Sequence, residues 1–191
     1  MQLRIQRLLA ILLGLYLVVM AGFYGISMFC YNPLAESMRQ ADVQWQQVQQ
    51  DCLDCAGAVP GLMKTAQTLP GFDTSSLDPL QAAQTTFSAT PVPANQPPPN
   101  PQAFALCQKV QDGLLTALQA FVAAAAAQPA LQADPALKTI TEKLADVPKA
   151  RAAFNEKAVI YNARVDRFPD KLITIPFCFL EKPLFKLTAR Q

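Results

Sequence analysis

The amino-acid sequence predicts an all-α protein, an extended antiparallel helical bundle that follows one N-terminal transmembrane helix. Three observations predict this class. The segment from Leu8 to Tyr31 contains no charged residue. Two further segments, 34–69 and 137–168, carry apolar or small residues in alternating steps of four and three. This is the heptad pattern of helices that bury one narrow stripe against each other.

Residues 1–31 are predicted to form a cytoplasmic stub and a transmembrane anchor. The uncharged run of 24 residues is too long for the apolar part of a signal peptide and long enough to cross a hydrocarbon core of about 30 Å. Arg4 and Arg7 precede the run, and no positive charge follows it until Arg39. The positive-inside rule therefore places the N-terminus in the cytoplasm and the bulk of the chain in the periplasm or outside the cell.

Cys30 offers a second way to anchor the chain. A lipoprotein signal would end on a lipid-modified cysteine that follows small residues, and two acyl chains would also hold a domain at the membrane. The bulky Phe29 directly before Cys30 argues against cleavage there. We therefore expect a membrane-spanning helix, with lipidation of Cys30 as the alternative.

The predicted bundle domain covers residues 32–185, and its first helix begins after the membrane. Asn32 either caps a new helix or, with Pro33, marks a kink in one continuous rod. Pro60 and Gly61 leave the heptad register unchanged, which favours a second kink over an end. The buried stripe is expected at Leu34, Met38, Ala41, Trp45, Val48, Cys52, Cys55, Val59, Leu62, Ala66 and Leu69.

A long connection of different composition lies between residues 70 and 101. Six prolines between positions 91 and 101 predict an extended, polyproline-like second half, and a short helix is allowed from Leu77 to Phe87. We favour a spacer here, and a recognition motif for proline-binding domains is the alternative. The second helix of the bundle is predicted from Gln102 to Gln128, where Pro129 ends it.

The last long helix is predicted from Leu137 to Phe168, as the packing partner of the first helix. Asp146 could cap a restarted helix, or Pro148 could kink a continuous one. The segment from Leu172 to Phe185 is apolar and contains two prolines. We expect it to fold back as a strap over the bundle, and residues 186–191 to form a C-terminal tail.

Composition excludes several classes of function. Charged residues make up 16% of the chain, against about 25% in soluble domains. The net charge of +2 is not clustered as in a nucleic-acid interface, so no nucleic acid is expected. The chain contains no histidine, which is the commonest general base and metal ligand. Because no nucleophile with a base, phosphate loop or paired catalytic carboxylates is recognisable, we expect neither an enzyme nor a cofactor.

The charges are distributed unevenly along the chain. Residues 32–146 carry 5 basic and 10 acidic groups, whereas residues 147–191 carry 9 basic and 4 acidic groups. We expect the acidic first helices to pack beside the basic last helix, with each exposed ion pair contributing only a few tenths of a kcal/mol. A basic strip that meets anionic lipid head groups is the alternative.

Two sets of motifs mark the ends of the chain. The last helix contains Arg151-x-x-Phe154-Asn155 and Tyr161-Asn162-x-x-Val165-x-x-Phe168-Pro169. The first helix contains Tyr31-Asn32-x-Leu34, Val43-x-Trp45-x-x-Val48 and Val59-Pro60-x-Leu62. With these motifs the sequence resembles the LemA family of bacterial membrane-anchored proteins. Phe154 departs from the tyrosine usual there, and Cys52 and Cys55 replace basic or polar residues.

The resemblance implies an extended helical bundle on a single anchor in the bacterial inner membrane, without established enzymatic chemistry. It implies a scaffold or interaction protein of the envelope, whose partners would be other membrane or envelope proteins, and it is compatible with a homo-oligomer. The candidates for a structural or interaction motif are Arg151, Phe154, Asn155, Tyr161, Asn162, Phe168 and Pro169.

Cys52-x-x-Cys55 is the most reactive-looking motif in the sequence. A redox cysteine usually lies at a helix N-terminus, where its pKa falls, but this pair lies in the middle of a heptad stripe. We expect two small core residues, with a disulfide from one of them to Cys107 as an open alternative. A thiol-redox or metal-binding module remains the alternative function.

Three polar residues of the last helix need partners inside a bundle. Asn155 and Asn162 are seven residues apart and share one helix face, so they are expected to bond to neighbouring helices, or to groups in each other's surroundings, and fix register. A ligand or partner site is the alternative. Arg151 lies in the stripe itself and should either meet an acidic partner on the first helix, with Asp51 and Asp54 as candidates, or extend outward to solvent.

Overall fold

The computed structural model describes residues 2–70, 72 and 74–186, with the side chains of residues 2–4 and 76 left out. Its elements are α1 (Gln2–Thr68), a 3₁₀ turn (Thr74–Ser76), α2 (Leu77–Ala89), α3 (Pro101–Ala125), α4 (Pro129–Gln132), α5 (Pro135–Val165) and α6 (Lys171–Thr174). No strand occurs among these residues. The predicted all-α class is confirmed. The side chain of Arg4 and residues 187–191 of the predicted tail lie outside the described residues.

Helix α1 is one uninterrupted rod of 67 residues, about 100 Å long at 1.5 Å per residue. It passes through Pro33 and Pro60, so the chain does not restart a helix at Asn32. The N-terminal part is long and apolar enough to cross a membrane, with a mean hydropathy of 2.3 and none of its most apolar window buried in the bundle. Helix α1 therefore contains both the apolar segment and the first packed helix of the bundle.

The predicted stripe of α1 is the centre of the core. Nine of its eleven positions have no solvent exposure, and Met38 and Leu69 are half-buried. The stripe packs chiefly against α5. Trp45 contacts Phe154 with ring centroids 5.8 Å apart, and farther from the membrane Asp51 meets Lys143. Because residue numbers rise along α1 while they fall along α5, the two helices are antiparallel, as predicted.

The connection between residues 70 and 101 lies along α1. Helix α2 forms where a short helix was allowed, and the side-chain amide of Gln84 donates to the carbonyl of Ala56 at 3.2 Å. Farther along the connection, the indole Nε1–H of Trp45 donates to the carbonyl of Pro93 at 2.9 Å. The proline-rich segment is thus held against α1 on its way back towards the membrane end.

Helix α3 begins and ends at prolines for different reasons. Asn100 caps its start by accepting the N–H of Gln102 at 2.8 Å, with Pro101 in the first turn. The helix ends at Ala125, three residues before the predicted end. Gln128 is extended because the residue before a proline, here Pro129, is disfavoured in the helical region.

Helix α5 starts at a similar cap and runs through Pro148 without a break. The carboxylate of Asp134 accepts the N–H of Ala136 at 2.8 Å. The helix ends at Val165 and not at Phe168, whose side chain is 73% exposed. The predicted last position of the stripe is therefore wrong, because the chain turns away from the helix ahead of Pro169.

The chain then folds back on itself. After α6, residues 179–186 form an extended segment, which we call the strap, and it runs antiparallel to α5. This confirms the predicted fold-back for residues 179–185, whereas the preceding residues from Leu172 form part of α6 and a turn.

Candidate functional site

Three side-chain carboxamides hold the strap by its main chain. Asn162 donates to the carbonyl of Lys182 and accepts its N–H, both at 2.8 Å. Asn155 does the same with Phe185, both at 2.9 Å. From α3, Gln108 donates to the carbonyl of Lys186 at 2.9 Å and accepts its N–H at 3.2 Å. Each carboxamide therefore binds one strap residue as a neighbouring strand would.

The spacing of the two asparagines matches the spacing of an extended chain. Seven residues of α5 rise about 10.5 Å, and three residues of an extended segment cover about 10 Å. Asn155 and Asn162 can therefore reach Phe185 and Lys182 at the same time. The expectation that these asparagines bond to neighbouring helices is wrong, because their common face is covered by the strap and not by a helix.

Phe185 fills an aromatic cluster under the strap. Its ring centroid lies 4.9 Å from that of Phe104, 5.5 Å from that of Phe154 and 5.8 Å from that of Trp45. The guanidinium carbon of Arg151 lies 4.8 Å from the centre of the Phe185 ring, which is a cation–π contact. The strap is thus held by main-chain hydrogen bonds outside and by one aromatic anchor inside.

Arg151 has a different partner from the one predicted. Its guanidinium donates to Asp112 and to the buried Gln111 on α3, the latter at 2.9 Å. Asp51 and Asp54 instead share Lys143, at 2.6 and 3.2 Å.

The reason for this correction lies in the register of the two helices. Phe154 packs on Trp45, so in an antiparallel pair the position three residues earlier, Arg151, is level with Val48. Arg151 therefore lies about one helical turn away from the level of Asp51, and it faces α3.

A second cluster of polar residues lies near the membrane end of the strap. Lys182 and Asp42 form a largely buried ion pair at 2.6 Å, and the ammonium lies 5.5 Å from the centre of the Tyr161 ring. The hydroxyl of Tyr161 donates to the carbonyl of Leu180 at 2.9 Å. Burial, and then the charge of Asp42, raises the pKa of Tyr161 to about 12. Tyr161 is therefore held as a neutral hydrogen-bond donor to the strap.

The comparison with protein families agrees with this architecture. The profile of the LemA family matches residues 44–191, a range that includes the strap and all three carboxamides. The chain belongs to the LemA family. A search of curated proteins found no match. Family membership and the long apolar helix together indicate a membrane-anchored protein.

Of the seven motif residues predicted in this LemA-family chain, five surround the strap and two do not. Arg151, Phe154, Asn155, Tyr161 and Asn162 contact the strap directly. Phe168 is exposed and Pro169 is half-buried in the turn after α5. They mark the end of the helix and lie apart from the clamp, the name we give to Asn155, Asn162 and Gln108 together with Arg151 and Tyr161, which hold the strap.

Sequence reasoning missed Gln108, Asp42 and Lys182. Gln108 is one of many glutamines on exposed helix faces, and nothing in its spacing distinguishes it. Asp42 and Lys182 are 140 residues apart in the sequence. Only the path of the strap brings them together, so no local pattern could have found the pair.

The cysteines of this LemA-family chain are free thiols, and only Cys178 is exposed. Burial is the main cause that raises the pKa of Cys52 to about 12 and the pKa values of Cys55 and Cys107 to about 11. A protonated, buried thiol is a poor nucleophile and a poor metal ligand. In residues 2–70, 72 and 74–186, no group of three or more metal-binding side chains was found.

Proposed function

We propose that this chain is a non-catalytic scaffold or interaction protein of the bacterial envelope. One observation carries the proposal: α1 continues without interruption from the apolar segment into the packed stripe of the bundle. A continuous helix joins the anchor directly to the bundle, with Pro33 the one residue near the junction that removes a main-chain hydrogen bond. The proposed scaffold is therefore a rod that continues from its anchor without an intervening loop.

The chemistry of the clamp supports a non-catalytic role. The carboxamides of Asn155, Asn162 and Gln108 are all engaged with the strap main chain. Arg151 is engaged with α3. Polar groups that bind the protein's own main chain position structure, which supports a structural role for these side chains.

We place the anchor in the bacterial inner membrane, with the N-terminus in the cytoplasm and the bundle in the periplasm. Arg4 and Arg7 before the apolar run support this orientation. Reporter fusions to Gln191 of the full chain test it. A reporter that is active only in the periplasm is expected, and a reporter active in the cytoplasm would contradict the orientation.

The partners that we propose are other membrane or envelope proteins, including further copies of this chain. A photo-crosslinking residue at Gln119, which is exposed near the distal end of α3, tests this in intact membranes. Discrete protein adducts are expected there. The matched control is the same residue at Leu12, inside the apolar segment, where lipid adducts should dominate. Lipid adducts at both positions would contradict a scaffold that presents its distal end to proteins.

A further inference from the structure

One part of the bundle surface carries a dense set of exposed apolar side chains. On the described surface beyond the apolar part of α1, most large apolar side chains are exposed singly or in pairs, as is usual for a protein surface. They are Val43, Leu53, Leu106, Val159, Ile160, Leu180 and Leu184. A denser set lies directly after α5, and it comprises Phe168, Leu172, Ile175 and Phe177. Such a patch marks an interaction surface.

We propose that residues 166–177, which we call the foot, insert into the surface of the same membrane that α1 crosses. This inference rests on the membrane anchor that forms part of the proposed function. It assigns a second membrane contact, one that comes from the opposite end of the chain.

The foot packs on α1 at the level where the apolar segment ends. Ile173 belongs to a core cluster with Cys30 and Leu34, and Ile26 packs against that cluster. The ring of Phe177 lies 5.2 Å from that of Tyr31. The contacts of the foot therefore extend back to residues that the sequence assigns to the membrane span.

The length of the anchor fixes where this level lies in a bilayer. A hydrocarbon core of about 30 Å takes about 20 helical residues. If the span begins at Leu8, it leaves the hydrocarbon near Met28, between Ile26 and Tyr31. The foot is thus held beside α1 at the boundary between acyl chains and head groups, where tyrosine rings are favourable and where phenylalanine side chains of interfacial segments insert.

The foot has two faces of different character. Ile173 and Thr174 are buried against the protein, whereas Ile175 is 87% exposed. The foot also carries two acidic and two basic residues, Asp166, Arg167, Asp170 and Lys171, and Lys171 pairs with Asp166 at 3.1 Å across an open surface. Exposed apolar side chains beside polar groups of balanced charge suit an interface that has acyl chains below and head groups above. A bilayer surface is therefore the occupant that fits.

The exposed thiol of Cys178, directly after the foot, allows a test with the full chain. An environment-sensitive fluorophore is attached to Cys178, and the protein is reconstituted in vesicles of phosphatidylethanolamine and phosphatidylglycerol. Some lipids carry a nitroxide quencher near the head group. We expect several-fold quenching at Cys178. The reference is a label at Gln119→Cys in a Cys178→Ser background, which should remain unquenched because α3 reaches the distal end, where Phe121 packs on Phe72.

A pair of substitutions separates insertion from mere proximity. Ile175→Asp removes apolar surface from the foot, and we expect quenching at Cys178 to fall severalfold, although it should stay above that of the distal label because Ile173 still packs on α1. Leu53→Asp changes an isomeric, half-exposed side chain on the bundle and should leave quenching unchanged. Equal quenching in both variants would overturn the proposal.

Flotation of the same vesicles distinguishes failure of the foot from failure of the anchor. Protein that floats with the vesicles but shows no quenching at Cys178 retains the anchor and overturns the foot. Protein that does not float overturns both. A Cys178 label that is shielded in native membranes but unquenched in the vesicles would assign the foot to a protein partner, which also contradicts a lipid contact.

Discussion

The carboxamide of Asn155 and the peptide group of Phe185 exchange two hydrogen bonds, each 2.9 Å long. A helix side chain here takes the place of a neighbouring β-strand, and it fixes the strap at the residue whose ring enters the core. The main-chain hydrogen bonds determine which strap residue lies beside Asn155, and the Phe185 ring determines how closely the strap packs on the core. This pair therefore links the C-terminal segment to the stripe of α1.

Replacement of Asn155 by alanine should destabilise the protein by about 2 kcal/mol. The estimate takes about 1 kcal/mol for each of two hydrogen bonds, whose partners on Phe185 are left unpaired in a half-buried site. Urea unfolding of the full chain in detergent, followed by circular dichroism, measures the change.

Two further variants make this prediction specific. Gln67→Ala removes an exposed amide from α1 and should change stability by less than about 0.5 kcal/mol. Asn155→Asp keeps the acceptor for the Phe185 N–H but places a carboxylate oxygen against its carbonyl, so it should not restore stability. If Asn155→Ala left the free energy of unfolding unchanged, the strap would be held by its apolar contacts alone.

The pairing of Arg151 with Asp112 predicts a measurable coupling. In a double-mutant cycle of Arg151→Met and Asp112→Asn, we expect a coupling energy of about 1 kcal/mol. The figure is modest because the carboxylate of Asp112 is about half exposed. The free energies of unfolding of the two single variants and the double variant give the value.

The control is the same cycle with Asp54, the partner expected from the sequence. Asp54 pairs with Lys143 in the structure, so Arg151→Met and Asp54→Asn should be additive within about 0.5 kcal/mol. Coupling to Asp54 but not to Asp112 would place Arg151 against α1 and contradict the structure.

The heptad stripes could be predicted from the sequence because burial along a packed helix follows the side-chain period, as far as the helix extends; Phe168 fits the period but lies beyond the end of α5 and is exposed. Trp45, Val48 and Phe154 were placed in the core by spacing, and all three have no solvent exposure. The proline-bounded ends were predictable only to within three residues, since proline restricts the residue before it but does not fix where the helix ends; α3 stops at Ala125 and α5 at Val165. These parts of the fold depend on a few neighbouring residues.

The clamp depends on relationships that no local pattern contains. Asn155 and Asn162 could be singled out, but their partners are peptide groups, which have no sequence signature. The partner of Arg151 depended on the register between α1 and α5. A shift of one helical turn decides whether Asp51 or Val48 of α1 lies level with Arg151. Lys182 meets Asp42 only because the strap returns along α5.

The buried thiols predict a loss of stability at alkaline pH. A thiol ordinarily ionises near pH 9, whereas burial raises the pKa of Cys52 to about 12 and that of Cys55 to about 11. Above pH 9 the unfolded chain therefore loses these protons while the folded chain keeps them. Stability is complete below about pH 9 and should fall as the pH rises towards about 12. Urea midpoints measured from pH 8 upwards test this prediction.

Variants at single cysteines assign this effect. Cys52→Ala should flatten the alkaline decline, although it lowers stability at neutral pH by leaving a small cavity. Cys178→Ala removes an exposed thiol and should not change the slope.

In the folded chain, a thiol reagent at neutral pH should modify one of the five cysteines quickly. Rapid modification of Cys52 or Cys55, or a disulfide between them, would instead support the thiol-redox function.

Trp45 is the only tryptophan of the chain, so its fluorescence reports the seating of the strap. The Phe185 ring stacks on the indole with a centroid distance of 5.8 Å. Phe185→Ala should therefore expose the indole, shift its emission to longer wavelength and increase quenching by acrylamide. The expected loss of stability is about 3 kcal/mol, as for a truncated buried phenylalanine.

Leu184→Ala changes the neighbouring exposed strap residue and should leave the spectrum unchanged, because main-chain bonds still hold Phe185 in place. An unchanged spectrum in Phe185→Ala would mean that the strap does not cover Trp45.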